Sequence, residues 1–154
     1  MNLITHWMNL ALREAEQAFA EDEVPVGAVV VHAGQLLGRG HNQTRTLNDP
    51  TAHAEILAIT AACQKLSVSR LETADLYVTL EPCAMCAGAI VLAKVSRLFY
   101  GAGDPKTGAC GSVFDIVREP RLNHQVEVYP GICEKESAAL LEKFFKMRRN
   151  NGID

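Results

Sequence analysis

The sequence has no long apolar run that would place it in a membrane. No stretch approaches the roughly 18 to 20 apolar residues that a membrane-spanning helix needs, and the mean hydropathy is +0.02. The first residues contain no basic region followed by an apolar stretch, which a secretory signal would show. We therefore expect neither a membrane segment nor export, and we predict a cytoplasmic location.

The sequence also has few cysteines and a small net charge. The 154 residues include five cysteines, an odd number far below the density of a secreted disulfide scaffold. Metal binding or simple burial is the expected use of these cysteines. The formal net charge is −3, so no overall basic field would attract a nucleic acid, and contact with one would need a local cationic patch.

Internal repeats, low-complexity segments and linkers rich in Gly and Ser are absent from the sequence. Nothing therefore divides residues 1–154, and a chain of this length is ordinary for one domain with one core. With 48% hydrophobic and 21% charged residues, the composition is typical of a globular domain and unlike that of a disordered segment.

The apolar residues alternate between helical and strand periodicity. Positions 8, 12, 15 and 19 recur at helical spacing after Thr5, which we expect to cap a first helix. Asp49 and Pro50 predict the start of a second helix that continues to about residue 65. The other expected elements are a hairpin at 28–38, strands at 76–80, 97–100 and 126–129, and helices at 84–94 and 135–149. This alternation predicts an α/β fold with a mixed sheet, because the hairpin contributes an antiparallel pair.

Two short segments contain the residues best suited to chemistry. Cys83 and Cys86 are three positions apart, so both sulfurs can face one metal ion if the pair straddles a helix start. His53 and Glu55 are two positions apart, about 200° around a regular helix, so they can converge only beyond its N-terminal end. Both demands are met if two helices point their N-termini at one spot, where their partial positive charge would also favour thiolates.

Two cysteines and one histidine form the ligand set of a catalytic zinc site with an open fourth position. Zinc in such a site can lower the pKa of a water molecule to about 7. Glu55 is then best interpreted as a proton shuttle, a role typically worth about 10²- to 10⁴-fold in rate. These are the parts that hydrolytic deamination of an amidine-like ring carbon requires.

The sequence His53-Ala54-Glu55 followed by Pro82-Cys83-Ala84-Met85-Cys86 resembles the signature of zinc-dependent nucleoside and nucleobase deaminases. The wider pattern resembles the bacterial tRNA-specific adenosine deaminases over nearly the whole chain. The matching motifs are Glu23-Val24-Pro25-Val26-Gly27-Ala28, His41-Asn42, Asp49-Pro50-Thr51-Ala52-His53-Ala54-Glu55, Leu80-Glu81-Pro82-Cys83, Asp104-Pro105-Lys106-Thr107-Gly108 and Phe144-Phe145-Lys146-Met147-Arg148-Arg149.

This resemblance implies a cytidine-deaminase-like three-layer sandwich, a homodimer, and conversion of adenosine to inosine at the wobble position of a tRNA anticodon. It implies that one zinc ion per subunit is bound by His53, Cys83 and Cys86, and that Glu55 shuttles protons. It further implies that the adenine base, turned out of the RNA, is bound by Asn42, Val26 and the backbone of Ala54. The residues that it places near the RNA are Asp104, Lys106, Phe145 and Arg149.

Several other interpretations compete with this one. Cys110 or Cys133 could close a structural zinc site, although Glu55 would then have no purpose. A redox Cys-x-x-Cys pair is disfavoured, because a His-x-Glu helix start is no part of that motif. A deaminase of free guanine, cytosine or a nucleotide would share the zinc and Glu55, and a zinc-stabilised RNA-binding module would need no catalysis.

The closing helix can also be interpreted in two ways. Its apolar stripe, which includes Phe144, is suited to core packing, and its terminal cations oppose the helix dipole. Exposed aromatic and cationic groups can equally stack on bases and neutralise phosphates. We favour the second interpretation for Phe145 and Arg149 and leave both open for Phe144.

Overall fold

The protein, seen here in a computed structural model that describes residues 2–152, is built around one five-stranded sheet. Four helices accompany the five strands in this part of the chain. In chain order, the elements are α1 (Leu3–Ala20), β1 (Gly27–His32), β2 (Gln35–His41), α2 (Ala54–Leu66), β3 (Asp75–Leu80), α3 (Ala84–Leu92), β4 (Arg97–Ala102), β5 (Glu127–Tyr129) and α4 (Glu134–Asn150).

The strand order is β2-β1-β3-β4-β5. Strand β1 pairs antiparallel with both β2 and β3, whereas β3, β4 and β5 run parallel to one another. The predicted mixed sheet is therefore confirmed, and the hairpin formed by β1 and β2 supplies its antiparallel edge.

Helices cover both faces of the sheet. The side chains of β1 alternate between the two faces, and both sets are buried, as expected for a sheet with helices on each side. Ala28 and Val30 pack in the core shared with α2 and α3, while Val29 and Val31 pack against α1. Helix α4 lies beside α1 and contacts β4. This arrangement confirms the predicted three-layer α/β sandwich.

Glycines let two helices approach the hairpin closely. A Cβ atom on Gly27 would lie 2.0 Å from the carbonyl oxygen of Ala11 in α1, and one on Gly40 would lie 2.7 Å from that of Ala54 in α2. No side chain fits between strand and helix at these points. The backbone of β2 therefore fixes the position of the first turn of α2.

Two predicted helix starts are wrong. Helix α1 begins at Leu3, because the Asn2 side chain and not that of Thr5 provides the cap, by accepting a 2.9 Å hydrogen bond from the Ile4 amide. Helix α2 begins at Ala54 rather than at Pro50, because Asp49 accepts bonds from the amide and hydroxyl of Thr51 and so closes a local turn.

The other predicted elements are present with boundaries shifted by a few residues. Helix α3 ends at Leu92 instead of residue 94, where Lys94 has a left-handed backbone with φ of 62°. Within residues 2–152, no helix has the length and apolar character needed to cross a membrane.

We predict that Gly27→Ala destabilises the fold by about 2–3 kcal/mol, because the added methyl group meets helix backbone that cannot move aside. Gly88→Ala in α3 is the matched control, since a Cβ atom there has no neighbour within 4 Å, and a gain of about 0.5–1 kcal/mol is expected from helix propensity. Urea unfolding of both variants measures the difference. Equal midpoints for the two variants would contradict the close approach of α1.

Candidate metal centre and active site

Three ligand-bearing side chains meet at the starts of α2 and α3. His53 Nδ1 lies 3.7 Å from Cys83 Sγ and 3.5 Å from Cys86 Sγ, and the three ligand atoms all lie within 4.8 Å of one another. His53 is the residue before α2 and Cys83 the residue before α3, both with extended backbone. The convergence of two helix N-termini inferred from the spacing is thus present in the structure.

The donor set fits a divalent transition metal. Two thiols and one imidazole around a single point are ligands that such ions favour. Among residues 2–152, this is the one group of at least three His, Cys, Asp or Glu side chains close enough to share an ion, and neither Cys110 nor Cys133 belongs to it. The described residues therefore offer no fourth ligand that would close the site.

The three groups perturb one another electrostatically. Hydrogen bonds from Cys86 and His53 lower the pKa of the Cys83 thiol, and the bond to Cys83 raises the pKa of His53. The pKa of Cys86 is raised by its hydrogen bond to Cys83 and by burial. The cluster thus stabilises negative charge on sulfur next to a shared proton, and a metal cation would take the place of that proton.

Glu55 lies in the first turn of α2 and is 3% exposed. Its Oε1 atom is buried and has no hydrogen-bond partner among the described residues. Burial raises the pKa of this carboxyl group. Buried polar atoms in native structures are normally paired, so an unpaired oxygen that borders a cavity indicates a place where a ligand completes the bonding.

A cavity of about 250 Å³ opens beside this cluster. Seven of the residues predicted for the site line it: Val26, Asn42, His53, Ala54, Glu55, Cys83 and Asp104. Five others were not predicted: Val24, Thr44, Leu80, Glu81 and Thr107. Asn42 is 8% exposed and accepts a 3.4 Å bond from the Thr44 amide through Oδ1.

Three residues predicted to bind substrate do not line the cavity. Lys106, Phe145 and Arg149 are exposed on the surface of the protein. Phe144 is 4% exposed and packs edge-on against Phe19 of α1, with ring centroids 5.8 Å apart. The structure therefore assigns Phe144 to the core and leaves the other three on the outside.

Two buried carboxylates near the cavity were missed by the sequence analysis. Glu23 is fully buried and accepts bonds from the Arg45 and Thr46 amides and the Thr46 hydroxyl. Burial alone would raise the pKa of Glu81, but its hydrogen bonds, the strongest from Ser112, outweigh burial and leave the pKa below the usual value. For Glu81, the one signal in the sequence was its place directly after the apolar strand predicted at 76–80.

Comparison with known proteins agrees with this geometry. The model of the MafB19-like deaminase family matches residues 4–149. The tRNA-specific adenosine deaminase of Agrobacterium fabrum is 53% identical over 145 residues, which cover 94% of this chain and 95% of that protein. The chain belongs to the tRNA-specific adenosine deaminase family. The resemblance drawn from its motifs is thereby confirmed.

Solved structures extend the comparison. One is the structure of a tRNA deaminase studied for A-to-I editing at the wobble position, with a TM-score of 0.85 and 54% identity to this tRNA-specific adenosine deaminase family member. The match covers 88% of this chain and 99% of that chain. A guanine deaminase from Nitrosomonas europaea has a TM-score of 0.77 at 28% identity, with coverage of 91% and 83%. One fold therefore accommodates both a polynucleotide and a free-base deaminase.

We predict that Cys86→Ala weakens binding of a divalent metal by more than about 100-fold, because loss of a ligand exceeds the roughly 10- to 100-fold cost of losing a residue that only orients one. Cys63→Ala is the control, since that thiol lies in α2 outside the cluster. Titration with cobalt(II), followed by thiolate-to-metal absorption, measures the affinity. Equal losses in the two variants would rule out the cluster as the metal centre.

Proposed function

We propose that this chain is a zinc-dependent hydrolase that converts adenosine to inosine at the wobble position of a tRNA anticodon. One observation carries the proposal: the buried Glu55 carboxylate, whose Oε1 atom has no hydrogen-bond partner among the described residues, borders the same cavity as a cluster of two thiols and an imidazole. The identity of the related deaminases supports adenosine in tRNA as the substrate.

His53, Cys83 and Cys86 would hold the zinc ion, one per subunit. When bound, zinc supplies a hydrolytic nucleophile near neutral pH. Its fit to the site rests on the donor types and their mutual distances. The start of α3 also favours thiolate at Cys83, because the helix N-terminus carries partial positive charge.

Glu55 would carry protons between water and the base. Its Oε1 atom would take a proton from the attacking water and deliver it to the ring nitrogen next to the reacting carbon. In a second transfer, Glu55 would move the proton of the newly formed hydroxyl to the amino group. The carbon–nitrogen bond would then break as the carbonyl forms, so that one water is consumed, ammonia leaves and inosine is formed. A raised pKa suits this exchange, since a proton shuttle works best when its pKa is near the operating pH.

The remaining cavity residues would bind one extruded base. Val26 offers an apolar surface, Ala54 a backbone at the start of α2, and Asn42 an amide that can donate to an acceptor atom of the base. The base in an anticodon loop is already unpaired, so turning it out requires less free energy than the few kcal/mol needed in a duplex. Asp104 lies at the cavity wall, where it would meet the attached ribose or a neighbouring nucleotide.

Lys106, Phe145 and Arg149 would contact the RNA outside the cavity. Their exposure suits this role, because single-stranded RNA is bound by stacking on aromatic rings and by neutralising phosphates. We further infer a cytoplasmic homodimer. Exposed apolar side chains on α3, such as Leu92 at 78% exposure, support a partner surface there.

Deamination of a free base is the second candidate, and the shared fold of the guanine deaminase favours keeping it. A free-base enzyme would have no use for exposed RNA-binding groups at the end of α4. The two functions are separated by offering both kinds of substrate to the same zinc-loaded protein.

We expect the zinc-loaded protein to form inosine in an anticodon stem-loop with adenosine at the wobble position, and to release no ammonia from free bases or nucleosides. Glu55→Gln should lower kcat by about 10²- to 10⁴-fold because the proton carrier is lost, while the RNA affinity stays within about threefold, roughly 0.7 kcal/mol. Nucleoside analysis and an ammonia assay provide the measurements. Ammonia from free bases alone would refute the tRNA substrate, and no activity at all would favour a purely RNA-binding module.

We also expect the double variant Lys146→Ala/Arg149→Ala to bind the stem-loop more weakly and to reduce the slope of log affinity against log salt by about 1.4, at roughly 0.7 per phosphate contact. Lys65→Ala/Arg70→Ala is matched in charge and lies at and beyond the end of α2 opposite His53. The control should keep the slope of the parent protein. An unchanged slope in the first variant would remove these residues from the RNA interface.

A further inference from the structure

Glu81 is a buried carboxylate for which the proposed chemistry has no use. It follows β3 directly, two positions before Cys83, and is 2% exposed. Its amide donates to the Ala102 carbonyl at 2.9 Å and so continues the pairing of β3 with β4. The side chain is thus fixed at the point where the sheet gives way to the metal-binding segment.

Both carboxylate oxygens accept hydrogen bonds from one segment, residues 104–112, which we call the cavity loop. Oε1 accepts from the Asp104 amide at 3.0 Å and from the Ser112 hydroxyl. Oε2 accepts from the amides of Cys110 at 3.0 Å and Ser112 at 3.1 Å. One carboxylate therefore holds the two ends of the loop at a set separation, through bonds that its charge strengthens.

The backbone of the cavity loop also lies directly on the metal-binding segment. The Ala109 amide donates to the Pro82 carbonyl at 2.8 Å, and Cys83 forms an isolated antiparallel bridge with Gly108. A Cβ atom on Gly108 would lie 2.4 Å from Glu81 Cδ, so no side chain fits between loop and carboxylate.

The same loop supplies one wall of the cavity. Asp104 and Thr107 line it, and the turn between them is closed by Asp104 itself. Asp104 Oδ1 accepts from the amides of Lys106 at 3.0 Å and Thr107 at 3.2 Å, and Oδ2 accepts from the Thr107 hydroxyl at 2.7 Å. Because Glu81 accepts a hydrogen bond from the Asp104 amide, it fixes the position of this turn.

We infer that Glu81 is a positioning residue that holds Asp104 and Thr107 as a preformed wall for the RNA around the extruded nucleotide. This inference rests on the proposed function for the identity of the ligand. Glu81 itself borders the cavity, but both of its carboxylate oxygens are bonded to the loop, whereas Glu55 lies in α2. Loss of the Glu81 carboxylate should therefore weaken substrate binding much more than it slows the reaction of bound substrate.

The test is Glu81→Gln in the zinc-loaded protein. The glutamine side chain has an NH₂ donor where the glutamate has an acceptor oxygen. At least one backbone N–H of the loop therefore faces a donor and loses its hydrogen bond. Backbone hydrogen–deuterium exchange in residues 104–112 should become at least about 10-fold faster, and KM for the stem-loop should rise about 10-fold, equivalent to roughly 1.4 kcal/mol. The kcat should change less than about threefold, roughly 0.7 kcal/mol, and the zinc content should stay at that of the parent protein.

Glu72→Gln is the control, because it makes the same chemical change at an exposed site that pairs only weakly with Arg70, 3.6 Å away. It should alter neither exchange nor KM. Ser112→Ala is the second variant; it keeps the carboxylate, removes the hydroxyl donor, and should shift exchange and KM in the same direction by a smaller amount. If Glu81→Gln fails to fold, Ser112→Ala decides the question.

Unchanged exchange in residues 104–112 would overturn the inference, as would a loss of zinc or a kcat that falls further than KM rises. The exchange measurement needs no RNA. If the parent protein does not deaminate the stem-loop, the proposed function fails on that result alone, and exchange still shows whether Glu81 holds the loop. Slow exchange in the parent with fast exchange in Glu81→Gln would then support the structural part of the inference and refute its link to RNA.

Discussion

The site depends on two helices that begin at the same point. His53 and Cys83 occupy the extended positions immediately before α2 and α3, so each side chain projects past its helix end and not from its side. Peptide dipoles at both ends favour the anionic sulfur that a metal ligand must provide. The cluster would not form if either helix began one turn earlier or later.

Close backbone packing keeps these helix ends in place. Gly38 and Gly40 in β2 bring the strand so near to α2 that Cβ atoms at these positions would lie 2.5–2.7 Å from carbonyl oxygens of the helix. At the open end of the hairpin, the backbone amide of Asn42 donates to the Val26 carbonyl at 3.1 Å, and both residues line the cavity. Contacts between backbones tolerate little displacement, so the residues of the His53, Cys83 and Cys86 cluster and those that line the cavity share one rigid frame.

Sequence reasoning succeeded where periodicity or angular spacing constrained the outcome. Apolar repeats and helix-start residues predicted the helices found in residues 2–152, and the angle between His53 and Glu55 required convergence beyond a helix end. It failed at the start of α2, because Asp49 satisfies a local turn and a capping residue cannot be told from a turn residue by its type. The hydrogen bonds of Glu81 could not be predicted, because its partners come from a loop 23 to 31 residues away. Asn42 was singled out only by resemblance, since an Asn after a strand ordinarily marks a turn.

The unpaired Oε1 atom of Glu55 lowers the stability of the fold at the position where the proposed chemistry needs a carboxylate. Folding moves this carboxylate out of water without giving Oε1 a partner, and such a loss of hydration typically costs about 1–3 kcal/mol. An apolar side chain of similar volume would avoid that cost, so under the proposed role of Glu55 the changes that stabilise the fold at this position are those that remove the proton carrier. Evolution for thermal tolerance in this chain must therefore proceed through other residues, and bound substrate itself would act as a stabiliser.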